Sequence, residues 1–178
     1  SDRLACLWRP EEPIQLLKPF DSRQSLASDI NESGQIVGTY EIFEGGYHTQ
    51  TRSFVWGEQR GAMDLAPIPT PPFIEDAAWD RIQVQAINDN GWIVGGCNMW
   101  HGPAPAWPEI VPDRAFIFRD GHMSDLNDLV PAGSGLIITR ATDINNHGQI
   151  AACGYTRSTD PEVGFATGRV VLLTPIGP

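Results

Sequence analysis

Hydrophobic and polar positions alternate over short stretches of this chain, and the alternation restarts after each polar turn. Apolar residues flank one phrase that occurs three times: Asp29-Ile30-Asn31-Glu32-Ser33-Gly34-Gln35-Ile36, Ala86-Ile87-Asn88-Asp89-Asn90-Gly91-Trp92-Ile93 and Asp143-Ile144-Asn145-Asn146-His147-Gly148-Gln149-Ile150. The copies stand 57 residues apart both times, counted from glycine to glycine. A fixed period of this length means one supersecondary unit used repeatedly. In each copy the asparagine bonds its own backbone and the glycine supplies positive φ, so Asn31 with Gly34, Asn88 with Gly91 and Asn145 with Gly148 read as structural turns joining two antiparallel strands.

A second pair of strands follows each hairpin. Arg52 to Trp56 with Gly61 to Leu65 form it in the first unit, and Arg114 to Phe118 with His122 to Leu126 in the second. In the third unit Gly164 to Thr167 and Val170 to Leu173 are the expected third and fourth strands. At the N-terminus Leu4 to Trp8 and Ile14 to Leu17 fit the last two strands of the same template. The pattern predicts one all-β domain over residues 1–178: a β-propeller-like array of four-stranded antiparallel blades, about three and a half of them. Residues 1–20 are a half blade, and 21–66, 80–130 and 136–176 are whole ones. An array ending in a half blade leaves a sheet edge open, which a longer propeller ending in this chain, a homodimer joined as a seven-bladed ring, a further chain, or closure as four blades with one of them short would resolve.

Composition narrows the function. Eighteen Gly and fifteen Pro suit short strands and turns, and a formal charge of −10 argues against nucleic acid and anionic membrane surfaces as partners. No apolar run is long enough to span a bilayer. Starting at Ser1 without Met or signal peptide, the chain reads as a mature or excised fragment. Cys6, Cys97 and Cys153 describe no disulfide framework.

The motif Arg52-Ser53-Phe54-Val55-Trp56, and its second form Arg114-Ala115-Phe116-Ile117-Phe118, follow the Ile-Asn-x-x-Gly-x-Ile-Val-Gly phrase. In this order the chain resembles the bacterial extracellular repeat family named for its His-Ala-Phe (HAF) motif. Val84 to Gly95, Arg114 to Phe118 and Gly121 to Leu126 carry the resemblance most closely, with Arg where the motif has His. Val171 to Pro175 is similar to the way such arrays end. The resemblance implies a propeller-like array and an extracellular or cell-envelope location, periplasmic or secreted. It implies no catalytic activity, and the Arg for His exchange removes the titratable position at which a pH-sensing or metal function would be expected.

Candidate chemistry is sparse. The turn phrase matches the first half of a calcium loop, but the position that must carry a bidentate carboxylate holds Tyr40, Cys97 or Gly154, so the calcium reading is rejected. Cys97, Met99 and His101 alternate along one stretch and are ligands suited to Cu(I), yet the other units offer no matching set, and packing accounts for the Cys and Met. No metal or cofactor is expected. No nucleophile elbow, metalloprotease motif or phosphate loop is present. Asp64, Asp125 and Asp128 recur near fourth strands, and Glu109 and Asp113 sit in a long loop; paired across a cleft, such carboxylates would make a glycosidase-like hydrolase. The stronger reading is a non-enzymatic binding or scaffold module. Its long Pro- and Trp-rich links, Pro67 to Trp79 and Trp100 to Asp113, decorate a regular scaffold, where recognition usually sits. Trp79, Trp92, Trp100, His101 and Trp107 are the expected ligand-binding residues, for a carbohydrate or a protein partner.

Overall fold

The computed structural model describes residues 2–43, 49–65, 79–99, 113–131, 133–156 and 167–175. The chain is all-β in these residues, with thirteen strands in three sheets and two single-turn 3-10 segments. The first unit runs through β3 (Ser25–Ile30), β4 (Ile36–Phe43), β5 (Thr49–Gly57) and β6 (Gly61–Leu65), each antiparallel to the next. The second repeats this with β7 (Trp79–Ile87), β8 (Ile93–Met99), β9 (Arg114–Arg119) and β10 (His122–Asp125). A short hairpin of β1 (Ala5–Leu7) and β2 (Gln15–Leu17) precedes them.

The third unit departs from expectation. It holds β11 (Leu136–Ile144), β12 (Ile150–Thr156) and β13 (Thr167–Leu173), so the sheet has three strands among the described residues. Val170 to Leu173 was expected as a fourth strand, but it belongs to the third, since β13 pairs with β12 along its whole length. Register gives the reason. Arg52 lies opposite Tyr40, Arg114 opposite Cys97 and Arg169 opposite Gly154, three partners at the 57-residue period. Arg169-Val170-Val171-Leu172-Leu173 is therefore the third form of the Arg-x-Phe-x-Trp strand, with both aromatic residues replaced by aliphatic ones. The expected third strand, Gly164 to Thr167, falls mostly outside the described residues.

Two local devices repeat. In every unit the first strand carries a register shift just before the turn, between Ala27 and Asp29, Val84 and Ala86, and Ala141 and Asp143. Such bulges turn the strand end and raise its twist. The glycine of Ile-Val-Gly faces the motif phenylalanine directly across the ladder, Gly38 opposite Phe54 and Gly95 opposite Phe116. A Cβ on Gly95 would stand 2.7 Å from the Phe116 ring and 2.1 Å from the Gln83 carbonyl oxygen, so only glycine leaves room for the ring. Both phenylalanines are fully buried, and burial of a side chain this size stabilises by about 1.5–3 kcal/mol. In the third unit the same pair is Ala152 opposite Val171: the smaller partner grows as the ring disappears.

The apolar clusters lie between successive units. Ala5 and Leu17 of the hairpin pack with Ile36, Phe54 and Trp56. Val37 and Leu65 pack with Ile82 and Val84 of the second unit. Val94, Ala115 and Ile117 pack with Ile138, Ala141 and Ile144 of the third. Among the described residues each cluster draws side chains from two neighbouring units.

Candidate functional site

The three turns form a stack. In each, the asparagine main chain closes the loop, its amide donating to the carbonyl of residue i+4 and its carbonyl accepting from the glycine amide at i+3. The glycines hold φ of +74°, +77° and +74°, as a three-residue hairpin loop requires. The asparagine side chain then acts in two directions. Asn88 Oδ1 accepts from the amides of Asn90 and Trp92 within its own turn, while Asn88 Nδ2 donates to the Asn145 carbonyl in the next unit at 3.0 Å. Asn31 does the same, accepting from the Gln35 amide and donating to the Asn88 carbonyl at 3.1 Å. Around this ladder the Glu32 amide donates to Asp89 Oδ1, the Asp89 amide to Asn146 Oδ1, and the Ile87 amide to Asp29 Oδ2. The inter-unit half of this network lay beyond the sequence, although the 57-residue separation of most of its partners was the available signal.

Trp92, expected on a recognition surface, is partly buried. Its ring packs so closely against Gly148 that a Cβ there would lie 2.7 Å away, and the Arg119 guanidinium sits 5.8 Å from the ring centroid. It wedges the second turn against the third. Trp79 contributes its backbone to β7, and its side chain lies outside the described residues, as do Trp100, His101 and Trp107. Cys97 is buried in the cluster between the first and second units. Among the described residues no three His, Cys, Asp or Glu side chains gather as metal ligands would.

Two of the carboxylates flagged near fourth strands tie strands together within their own units. Asp64 accepts a hydrogen bond from the Tyr40 hydroxyl at 2.9 Å. Asp125 pairs with Arg114 at 3.0 Å and accepts from the Asn127 amide, capping the short turn Leu126–Asp128. The motif arginine of the second unit thus takes the fourth-strand carboxylate that tyrosine takes in the first. Burial, and then the bond to Asp64, push the Tyr40 hydroxyl well above the usual tyrosine range, so it stays a neutral donor.

A groove of about 760 Å³ opens beside this pair, between the segment Phe20 to Gln24 and the outer end of β4, Tyr40 to Phe43, with Thr49 opposite. Two aromatic rings stand open there: Phe20 is 53% exposed and Phe43 71%. Phe20 also stacks on buried Tyr40 with ring centroids 5.0 Å apart. Phe20 and Asp21 both adopt left-handed backbone, at φ of 53° and 55°. Successive non-glycine residues in that region are costly and cluster at ligand sites. Asp21, Arg23, Gln24 and Glu41 supply polar groups around the rings. The sequence hid this groove because its walls come from the link after β2 and from the far end of β4.

The ladder, the bulges and the apolar clusters define an all-β domain whose successive hairpins are tied together at their turns. Residues 14–174 match the model of a family described as a protein of unknown function, DUF3466, and the chain belongs to that family. No curated protein and no solved structure matches it.

Proposed function

We propose that this chain is a non-enzymatic binding and scaffold module of an exported bacterial protein, a β-propeller-like array that recognises carbohydrate through the groove between Phe20 and Phe43. The observation that carries the reading is the pair of exposed phenylalanine rings framing a groove of about 760 Å³, with Asp21, Arg23, Gln24 and Glu41 around them. Ligand sites are concave, largely apolar and oriented by a few polar groups, and their volumes fall at roughly 300–1,000 Å³. A pyranose ring offers an apolar face to an aromatic ring and hydroxyls to carboxylate, guanidinium and amide groups. The HAF-like order of motifs supports export and the propeller-like arrangement. Among the described residues no helix is long and apolar enough to cross a membrane.

Binding to a broad panel of neutral oligosaccharides tests the reading, with Phe20→Ala and Phe43→Ala alongside. Saturable binding that both substitutions abolish is the expected result. Silence across the panel, or binding unchanged in both variants, would overturn it. A hydrolase is the second reading, because Asp21 and Glu41 line the same groove and glycosidases use two carboxylates. Product release that stops in Asp21→Asn and Glu41→Gln would replace the first reading with the second.

A further inference from the structure

We propose that the saccharide taken by the groove between Phe20 and Phe43 is an amino sugar, its ammonium held by Asp21 and Glu41 and reached by the buried Ser22 hydroxyl. This rests on the saccharide reading above and narrows it to one class. Ser22 lines the groove at 8% exposure, and its Oγ has no hydrogen-bond partner among the described residues. Its amide is satisfied, donating to the Pro19 carbonyl at 3.1 Å where the single turn Pro19–Asp21 ends. Only the hydroxyl is left over. Buried polar groups without partners are few in native proteins and each calls for a reason; this one stands in the wall of a ligand-sized opening.

Charge selects the ligand. The charged residues of the lining are Asp21, Glu41 and Arg23, two carboxylates against one guanidinium. Asp64 and Asp125 are engaged by Tyr40 and Arg114, but among the described residues no hydrogen bond or ion pair occupies Asp21 or the Glu41 carboxylate. A carboxylate only accepts, and an ammonium brings three donors and no acceptor. A hydroxyl in the same wall adds one more acceptor. The exposed rings of Phe20 and Phe43 favour a cation as well, since an aromatic face attracts positive charge. An amino sugar supplies both halves of this match, an apolar ring face and a cation beside it. A uronic acid or sulfated sugar would set like charges against Asp21 and Glu41, an arrangement that rejects a partner.

Isothermal titration of the full chain tests the proposal, with a β-1,4-linked glucosamine tetramer and its fully N-acetylated counterpart as ligands. Mildly acidic buffer keeps the sugar amines protonated. The amino form is expected to bind the wild type about fivefold to tenfold more tightly than the acetylated form, and Asp21→Asn combined with Glu41→Gln to close most of that gap. Asp21 sits at φ of 55°, a conformation that Asn also tolerates, so the charge goes while the turn stays, and circular dichroism checks the fold. The formal charge of −10 draws in any cation; a gap undiminished in the double variant would assign the preference to that charge and overturn the proposal. Equal affinity for the two forms, with binding lost in Phe20→Ala, overturns the amino-sugar assignment and leaves the saccharide reading standing. Silence toward both ligands overturns the two together. Ser22→Ala deletes a hydroxyl that bonds nothing in the free protein, so thermal unfolding is expected to hold while affinity for the amino form falls about threefold to tenfold. Unchanged affinity in that variant overturns the place given to Ser22.

Discussion

The joint between the first and second units and the joint between the second and third have the same backbone form and different side-chain chemistry. At the first, the Ser53 hydroxyl donates to the Ile82 carbonyl at 2.7 Å and accepts from the Val84 amide at 3.1 Å, tying β5 to β7. At the second, the residue in that place is Ala115, and the Asn127 side chain ties the units from beyond β10. Its Oδ1 accepts from the Ile138 amide at 2.7 Å and its Nδ2 donates to the Ile138 carbonyl at 2.9 Å. Ile138 is the equivalent of Arg81, where the first joint has its parallel backbone bridge. Asp29 accepts the Ile87 amide across the first joint; Ala86, its counterpart, has no carboxylate to offer across the second. There Trp92 supplies packing against Gly148. The conserved need is to satisfy main-chain groups of the next unit's first strand, and any side chain of suitable reach meets it.

The turn ladder is common to both joints, and the Asn88 side chain supplies its rung at the second. Asn88→Ala strips partners from the Asn90 and Trp92 amides and the Asn145 carbonyl. Losing these three partly buried bonds costs on the order of 3 kcal/mol in denaturant unfolding. Asn145→Ala removes bonds from an exposed turn and is expected to cost about 1 kcal/mol; equal losses at the two positions would mean that the ladder adds nothing beyond the local turn.

Asn127→Ala separates the joints. It leaves the amide and carbonyl of buried Ile138 unpaired, an expected loss of about 2 kcal/mol, against roughly 1–2 kcal/mol for Ser53→Ala at the first joint. Combined, the two are expected to add, because the two side chains bond different partners; strong non-additivity would show that the domain unfolds through a coupling between joints.

The smallest effect concerns the pair of Tyr40 and Asp64. Tyr40→Phe is expected to cost about 1 kcal/mol at neutral pH. Tyr40 has a raised folded-state pKa, so its contribution is fully present below the ordinary tyrosine value of about 10 and is lost as pH climbs above it. Unfolding free energy of the wild type should therefore fall on raising the pH beyond that value, and the variant should fall less. Parallel curves would remove Tyr40 as the cause.

The sequence alone determined the period, the turns and the strand order of the first two units. Those depend on residues whose preference is local: Asn and Gly at the turn, and β-branched or aromatic residues alternating around it. It also carried the Gly95–Phe116 pairing in its Ile-Val-Gly and Arg-x-Phe phrases, though nothing in it said that the two would touch. Tertiary structure decided the rest. Val170 to Leu173 lost its aromatic signature, and only pairing along β12 showed which strand it forms. Trp92 has the same sequence credentials whether it stacks on a ligand or wedges Gly148; only the approach of the third turn chooses. The groove beside Phe20 and Phe43 belongs to segments that the chain brings together after β3 and β4 have paired. A local preference is written residue by residue, but a surface between units exists only once the units have stacked.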